Sequence, residues 1–272
     1  MKLDFFKMSG AGNDFVLLTG PALFPQKGQS AGLKKLAIKL CSAKTAVGAD
    51  GLLYVNKAGR SAIRMRYFNS DGSEAFCGNG SRCSAWWAYA SGLMKKKKFS
   101  LKSISGSLPV EIISRETVKM RMPDVPAVSL HHGGVWCKPV KTAHFLNTGV
   151  PHAVVPVWDL ERLDVDGLGR RMRFHKAFGH AGANVDFVRV ENGVVKIRTY
   201  ERGVEAETLA CGTGITASAV ALGLDLGLKS PVAFVSRSGE KFRVWYKRAG
   251  AGASDIYIQG PAKIVFKGTI EI

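Results

Sequence analysis

Residues 63–92 read IRMRYFNSDGSEAFCGNGSRCSAWWAYASG, and this stretch decides the fold. Ile63, Met65 and Tyr67 alternate with Arg64, Arg66 and Phe68, the two-residue period of a strand. The polar run 69–74 reads as a turn. Cys77-Gly78-Asn79-Gly80 then opens residues 81–91, which are small and aromatic, lack proline and stop at Gly92. That composition predicts a buried helix. The same order returns in the second half. A strand over 194–200 leads into a polar turn over 201–208, and Cys211-Gly212-Thr213-Gly214 opens a small, apolar helix over 215–222. The two cysteines lie about half the chain apart, so the chain is read as an internal repeat.

Working outward, strands are predicted at 3–8 and 15–19 around the turn 9–14, and at 52–55, 99–104, 109–113 and 118–122. Residues 20–30, with Pro21, Pro25 and Gly28, read as loop. Leu33, Leu36, Ala37 and Leu40 have the spacing of a short helix. Pro123-Asp124-Val125-Pro126 marks a domain boundary, and 131–134 a turn. In the second half strands are predicted near 138–146, 152–157, 185–190, 232–235, 242–246, 255–259 and 263–266, with a helix inside 159–174. The expected fold is α/β (α+β): two pseudo-symmetric halves, each a curved, mostly antiparallel sheet wrapped around a central helix, with chemistry in the cleft between them. The halves are drawn at 1–124 and 125–261, with 262–272 returning to the first.

The 272 residues suit two domains of ordinary size, and 46% hydrophobic content supplies apolar cores. The formal charge is +18. Charge alone suggests a nucleic-acid or membrane surface, but the basic residues are dispersed. The one dense run, Lys95–Lys98, reads as a solvated helix exit, favourable near a negative helix end. There are five cysteines and no Cys-x-x-Cys pair, which argues against a zinc ribbon or thioredoxin motif. The N-terminus does not read as a signal peptide, and no apolar run approaches the roughly 18 residues of a membrane span. The expectation is a cytoplasmic protein with reduced thiols, no metal, no membrane association and no nucleic-acid partner.

A cysteine at a helix start is chemically distinctive. The first backbone N–H groups have no partner inside the helix and carry partial positive charge. Glycines there let a carboxylate approach the backbone, and the positive end favours thiolate over thiol. If two such starts face one substrate, their N–H groups hold one carboxylate and the sulfurs flank the adjacent carbon. That arrangement suits removal of a proton from one face and delivery to the other. The plain alternative is that both are inert buried cysteines, as is expected of Cys41, Cys83 and Cys137. Repetition of the motif favours chemistry at Cys77 and Cys211.

The residues resemble the diaminopimelate epimerase family over essentially the whole chain. The resemblance is carried by 7–15 (KMSGAGNDF), 68–74 (FNSDGSE) running into 77–82 (CGNGSR), 147–152 (NTGVPH), 184–187 (NVDF) and 201–203 (ERG) followed by 207–214 (ETLACGTG). It implies an amino-acid epimerase without a cofactor, interconverting LL- and meso-diaminopimelate, with Cys77 and Cys211 as the acid/base pair. It implies that backbone N–H groups at Gly78, Asn79, Gly212 and Thr213 hold the reacting carboxylate. Asn13 and Glu201 would lie near the reacting amino group, and His152 beside the cysteines. Asn69, Asn147, Asn184 and Arg202 would bind the distal amino-acid end, for which Arg and Asn have suitable donors and acceptors. A homodimer and a place in lysine biosynthesis follow from the same resemblance. Two departures stand out. Gly51 follows Asp50 where many members carry Gln, and the stretch between Gly203 and Cys211 is one residue longer than in many members.

Three rivals remain at this point. A two-cysteine proline or hydroxyproline racemase shares the motif logic, but Arg202 and the asparagines favour a substrate with a second amino-acid end. A basic nucleic-acid-binding protein predicts salt-dependent binding that is indifferent to Cys77→Ala. A thiol redox protein predicts a functional disulfide, which is read here as reversible inactivation instead.

Overall fold

The computed structural model describes residues 2–20, 29–133, 136 and 138–271. The loop segment 21–28, Gly134 of the turn at 131–134, and Cys137 lie outside the described residues. The chain divides into two compact units: Met1–Met120 with Gly260–Ile272, and Arg121–Gln259.

The elements run β1 (Lys2–Gly10), β2 (Asn13–Leu18), α1 (Gln29–Cys41), β3 (Gly51–Lys57), β4 (Ala62–Asn69), β5 (Glu74–Ala75), α2 (Gly78–Ala90), β6 (Lys98–Ser103), β7 (Gly106–Ser114) and β8 (Thr117–Arg121). They continue with β9 (Val128–Ser129), β10 (His144–Asn147), β11 (Pro151–Pro156), α3 (Val165–Arg173), β12 (Asn184–Glu191), β13 (Val194–Glu201), β14 (Ala206–Thr208) and α4 (Gly212–Asp225). Strands β15 (Val232–Val235), β16 (Lys241–Ala249), β17 (Gly252–Pro261) and β18 (Lys263–Glu271) complete the chain.

In the first unit β1 pairs with β18 and β2, β2 runs parallel to β3, and β3 pairs antiparallel with β4. Strand β4 takes β5 antiparallel and β6 parallel, and β7 and β8 follow as a meander. The second unit repeats this pairing for pairing. Strand β10 takes β9 and β11, β11 is parallel to β12, β12 pairs with β13, β13 takes β14 and, in parallel, β15, and β16 and β17 follow. Each sheet is therefore mostly antiparallel with two parallel joints. A parallel joint needs a crossover connection, and α1 and α2 supply the two in the first unit, α3 and α4 those in the second.

The crossover helices lie on opposite faces of each sheet. Leu33, Leu36, Ala37 and Leu40 of α1 pack with Val16, Leu18, Leu52 and Tyr54. The intervening Leu53 faces α2, because a Cβ on Gly80 would sit 2.8 Å from its Cδ2. Likewise Val165, Leu168 and Met172 of α3 pack with Val185 and Phe187. The intervening Asp186 faces α4, where a Cβ on Gly214 would meet its Oδ1 at 2.1 Å. Burying each leucine of α1 contributes about 1.5–3 kcal/mol. Inside α2 and α4 the buried hydroxyls of Ser81, Ser84 and Thr216 donate to the carbonyls of Cys77, Gly80 and Gly212, so these three polar side chains fit an enclosed helix.

Two expectations need correcting. The strand predicted from residue 138 begins only at His144; Pro139 lacks an N–H for a ladder, and 138–143 are turn and irregular backbone. The runs 69–74 and 201–208 are not turns throughout, since β5 and β14 lie at their C-terminal ends. Strands this short leave no alternating pattern to read. Lys95–Lys98 is exposed, and Lys98 pairs with Glu111 at 3.3 Å. No described helix is long and apolar enough to cross a membrane.

Candidate active site

Cys77 is the N-cap of α2, with extended backbone at φ −136° and ψ 115°. Its Sγ accepts the N–H of Gly80 at 3.3 Å, the bond a serine or aspartate cap makes elsewhere. The two glycines of the motif serve different ends. Gly80 is packed against Leu53, whereas a Cβ on Gly78 would meet nothing within 4 Å among the described residues. The space beside Gly78 is therefore open.

Asn79 is buried, and its amide orientation is fixed from both ends. Its Oδ1 accepts from Arg82 Nη2 at 2.7 Å, and its Nδ2 donates to Asn13 Oδ1 at 2.6 Å. Asn13 Nδ2 donates in turn to Asp50 Oδ2 at 2.9 Å. Asp50 also accepts the N–H of Asp14, whose carboxylate pairs with Lys7 at 2.5 Å. Asn69 is oriented by the Tyr67 hydroxyl, which donates to Oδ1 at 2.8 Å, and by Ser73 Oγ, which accepts from Nδ2 at 2.9 Å. The Tyr67 ring explains Gly51: a Cβ there would lie 2.4 Å from Tyr67 Cε2 and 2.5 Å from the Phe68 carbonyl oxygen.

In the second unit Cys211 is the N-cap of α4, at φ −116° and ψ 109°. It is buried, with Sγ 3.3 Å from Thr213 Oγ1. Burial pushes its thiol well above the usual range, and the negative charges of Glu201 and Asp186 push the same way. The Thr213 hydroxyl beside Sγ opposes them. The expectation that a helix start lowers the pKa is thus overturned at Cys211, because desolvation and two carboxylates outweigh the helix end.

His152 and Asp186 are both fully buried, and Nδ1 lies 2.7 Å from Oδ2. Thr199 donates to the other carboxylate oxygen at 2.8 Å. A carboxylate accepts only, so Nδ1 carries the imidazole proton and Nε2 presents its lone pair. That Nε2 has no hydrogen-bond partner among the described residues. Asn184 sits opposite His152 in the parallel pair of β11 and β12. Its Nδ2 donates to the Pro151 carbonyl at 3.0 Å, and its Oδ1 accepts the Arg202 N–H at 2.9 Å. Glu201, half-buried, closes β13. Asn147 is exposed and accepts the Gly149 N–H at 2.8 Å. Thr148 Oγ1 donates to the Thr213 carbonyl at 3.2 Å, beside the helix start.

The first unit thus gathers Asn13, Asn79 and Cys77 at one helix start, with Asn69 at the end of β4. The second gathers His152, Asn184, Arg202, Cys211 and Thr213. Asp186 was not singled out from sequence. Its signal was there: an acid inside the apolar run Asn184-Val185-Asp186-Phe187-Val188 must be paired when buried. The loop before Cys211 turns at Glu205, which has φ 59°. Its carboxylate accepts from Arg173 Nε at 3.2 Å and from the Gly203 N–H at 3.0 Å.

His131, His144 and Asp225 bring three ligand atoms within 4.8 Å of one another. The His131 N–H donates to His144 Nδ1 at 3.2 Å, which leaves the proton on Nε2, 3.6 Å from Asp225. His131 Nε2 lies 2.8 Å from Asp225 Oδ1 at the C-terminal end of α4, and burial holds the His144 imidazole below its ordinary pKa.

A family model described as diaminopimelate epimerase matches residues 5–128 and 144–265. The chain is 37% identical over 284 residues to the diaminopimelate epimerase of Aquifex aeolicus (strain VF5), covering 98% of each chain. It is 36% identical to that of Methanocella arvoryzae, covering 100% of this chain and 98% of the other. Among solved structures, a PhzF-family phenazine biosynthesis protein of Enterococcus faecalis matches with TM-score 0.73 at 16% identity over 100% of both chains. A hydroxyproline epimerase from Agrobacterium vitis matches with TM-score 0.68 at 17% identity, covering 99% of this chain and 92% of the other. These structural likenesses concern the fold. Near-complete coverage at these sequence identities, with a family match over both units, means that the chain belongs to the diaminopimelate epimerase family.

Proposed function

We propose that this protein is an isomerase that interconverts LL- and meso-diaminopimelate by moving one α-proton between Cys77 and Cys211. The observation that supports this reading most directly is the repeated cysteine N-cap, one per unit, each on a buried helix opened by Gly-x-Gly. Inversion at a carbon needs a base on one face and an acid on the other. A thiolate and a thiol supply both, and they exchange roles when the direction reverses. Cys211, kept as a thiol by burial and by Glu201 and Asp186, suits the acid of the resting pair.

The first backbone N–H groups at Gly78, Asn79, Gly212 and Thr213 hold the reacting carboxylate and stabilise the charge that grows on it as the proton leaves. Asn13 and Glu201 lie near the reacting amino group, and His152, through its bare Nε2, holds the proton balance beside the cysteines. Asn69, Asn147, Asn184 and Arg202 take the distal amino-acid end, which sets this substrate apart from proline. Acid–base work by two thiols needs no pyridoxal phosphate, and the thiols titrate as a coupled pair. A cytoplasmic homodimer with reduced thiols, serving lysine biosynthesis, belongs to the same reading.

The test is incubation of LL-diaminopimelate with the protein in heavy water. Meso product carrying solvent deuterium at one α-carbon is expected. Epimerisation that demands added pyridoxal phosphate, or that survives serine at both Cys77 and Cys211, defeats the proposal.

A further inference from the structure

Each cysteine helix is approached by a very short strand, and each of these strands is tied down by one arginine. In the first unit Arg66 of β4 grips Glu74 of β5 with Nε to Oε1 at 2.8 Å and Nη2 to Oε2 at 2.6 Å. In the second unit Arg198 of β13 grips Glu207 of β14 with Nε to Oε1 and Nη2 to Oε2, both at 2.7 Å. Such two-pronged pairs fix direction as well as distance. Register repeats too: Glu74 stands opposite Phe68 and Glu207 opposite Tyr200, in each case two residues beyond the arginine. Arginine and glutamate therefore share one face as diagonal neighbours.

Each arginine also reaches a third segment, at or just before the start of a crossover helix. Arg66 Nη2 donates to Ser30 Oγ at 2.7 Å, at the start of α1. Arg198 Nη1 donates to the carbonyls of Leu160 at 2.8 Å and Leu163 at 3.1 Å, in the segment entering α3. The Arg198 and Glu207 side chains are mostly enclosed, at 11% and 16% exposure, whereas Arg66 and Glu74 are more open, at 19% and 29%. The Arg198–Glu207 pair is therefore screened less than a surface pair. An isolated surface ion pair has no reason to recur with the same register and the same fork in both units.

We propose that Arg66–Glu74 and Arg198–Glu207 are duplicated positioning pairs that set the Cys77 and Cys211 sulfurs for proton transfer. The chain from Glu74 to Cys77, and from Glu207 to Cys211, is too short to absorb a shift of the approach strand, so loosening a fork moves the sulfur it serves. The pairs touch neither substrate nor the moving proton. The inference rests on the epimerase reading for its kinetic consequence, but not for its effect on each thiol.

The experiment compares Glu74→Ala and Glu207→Ala with the unaltered protein in two assays. The first measures kcat and KM for LL-diaminopimelate. The second measures alkylation of Cys77 and Cys211 by iodoacetamide across pH, peptide by peptide. Misplacement by about 1 Å costs about 10²-fold in rate, so kcat is expected to fall about 10- to 100-fold with KM changed far less. Glu74→Ala is expected to change the alkylation rate of Cys77 by about fivefold or more while leaving Cys211 alone, and Glu207→Ala the reverse. Glu74→Gln and Glu207→Gln, which keep one acceptor oxygen, are expected to recover part of both effects. They carry the test if an alanine variant does not fold. Unchanged kcat in folded variants, or equal changes at both thiols in either variant, overturns the proposal. If the unaltered protein does not epimerise diaminopimelate, the functional reading fails, and the thiol assay still decides the forks.

Discussion

Asp186 Oδ2 lies 2.7 Å from His152 Nδ1, and neither side chain touches solvent. The pair fixes which imidazole nitrogen is bare. Asp186→Asn offers an amide N–H to Nδ1, which shifts the proton to Nε2. A wrong tautomer costs a triad enzyme about 10⁴-fold. Here His152 assists and is not itself the base, so a kcat loss of roughly 10²-fold is expected. The buried His152 loses a charged partner, and a fall in stability of about 1–3 kcal/mol accompanies it. Kinetics and calorimetry on the one variant read both. A fall in stability with kcat unchanged would leave His152 a purely structural residue.

The motif glycines provide a second test, because they are not equivalent. Gly214→Ala forces a Cβ against Asp186 Oδ1, 2.1 Å away. Overpacking of that kind costs about 1–3 kcal/mol, and the melting temperature falls. Gly78→Ala meets open space and replaces glycine with the best helix former. Its melting temperature is expected to hold or rise, while KM rises about tenfold or more as a methyl blocks the carboxylate's approach to the backbone. Unchanged KM in Gly78→Ala would remove that helix start from the substrate site.

Alkaline pH separates buried thiols from exposed ones. Burial lifts Cys41 to about 12 and Cys83 higher still, and Cys211 moves the same way. The unfolded chain releases these protons near pH 8.5, while the folded chain holds them. Stability from these groups is therefore complete below about pH 8.5 and is lost as pH rises toward the folded values. Thermal melts between pH 7 and 11 (a range of roughly four units) are expected to show a falling melting temperature. Cys83→Ala is expected to flatten that fall, and an identical slope in the variant would refute the assignment.

Acid acts on the loop before Cys211. The Gly203 N–H, and then Arg173, hold the Glu205 carboxyl below its ordinary value. Its contribution is present above the unfolded pKa of about 4.3 and is lost as pH falls through the lower folded value. Amide exchange of residues 202–206 is expected to accelerate below about pH 4, and in Glu205→Gln to be fast already at pH 6. Equal protection in that variant would show that Glu205 does not hold the loop.

Much of the architecture was legible along the chain. The two-residue alternation of 63–68 and the apolar spacing of 33–40 announced β4 and α1, because each pattern is local. The duplicated Cys-Gly-x-Gly announced two buried helices for the same reason. Strands β5 and β14 were hidden, since two or three residues inside a polar run carry no period. The role of Asp186 was hidden because its partner lies on another strand. Gly51 registered only as a departure from the family, and the Tyr67 ring that fills the space beside it explains the choice.

By itself the sequence determined that the two Cys-Gly-x-Gly motifs start helices, which faces are apolar and that the plan is duplicated, because helix-end chemistry and hydrophobic period act within a few residues. Tertiary structure alone decided that Cys211 is held as a thiol, that His152 is oriented by Asp186, and that one arginine in each unit clamps the approach to its cysteine. Each of these depends on burial or on charges brought together from distant parts of the chain, and electrostatic strength in an enclosed site is set by that environment and not by residue order.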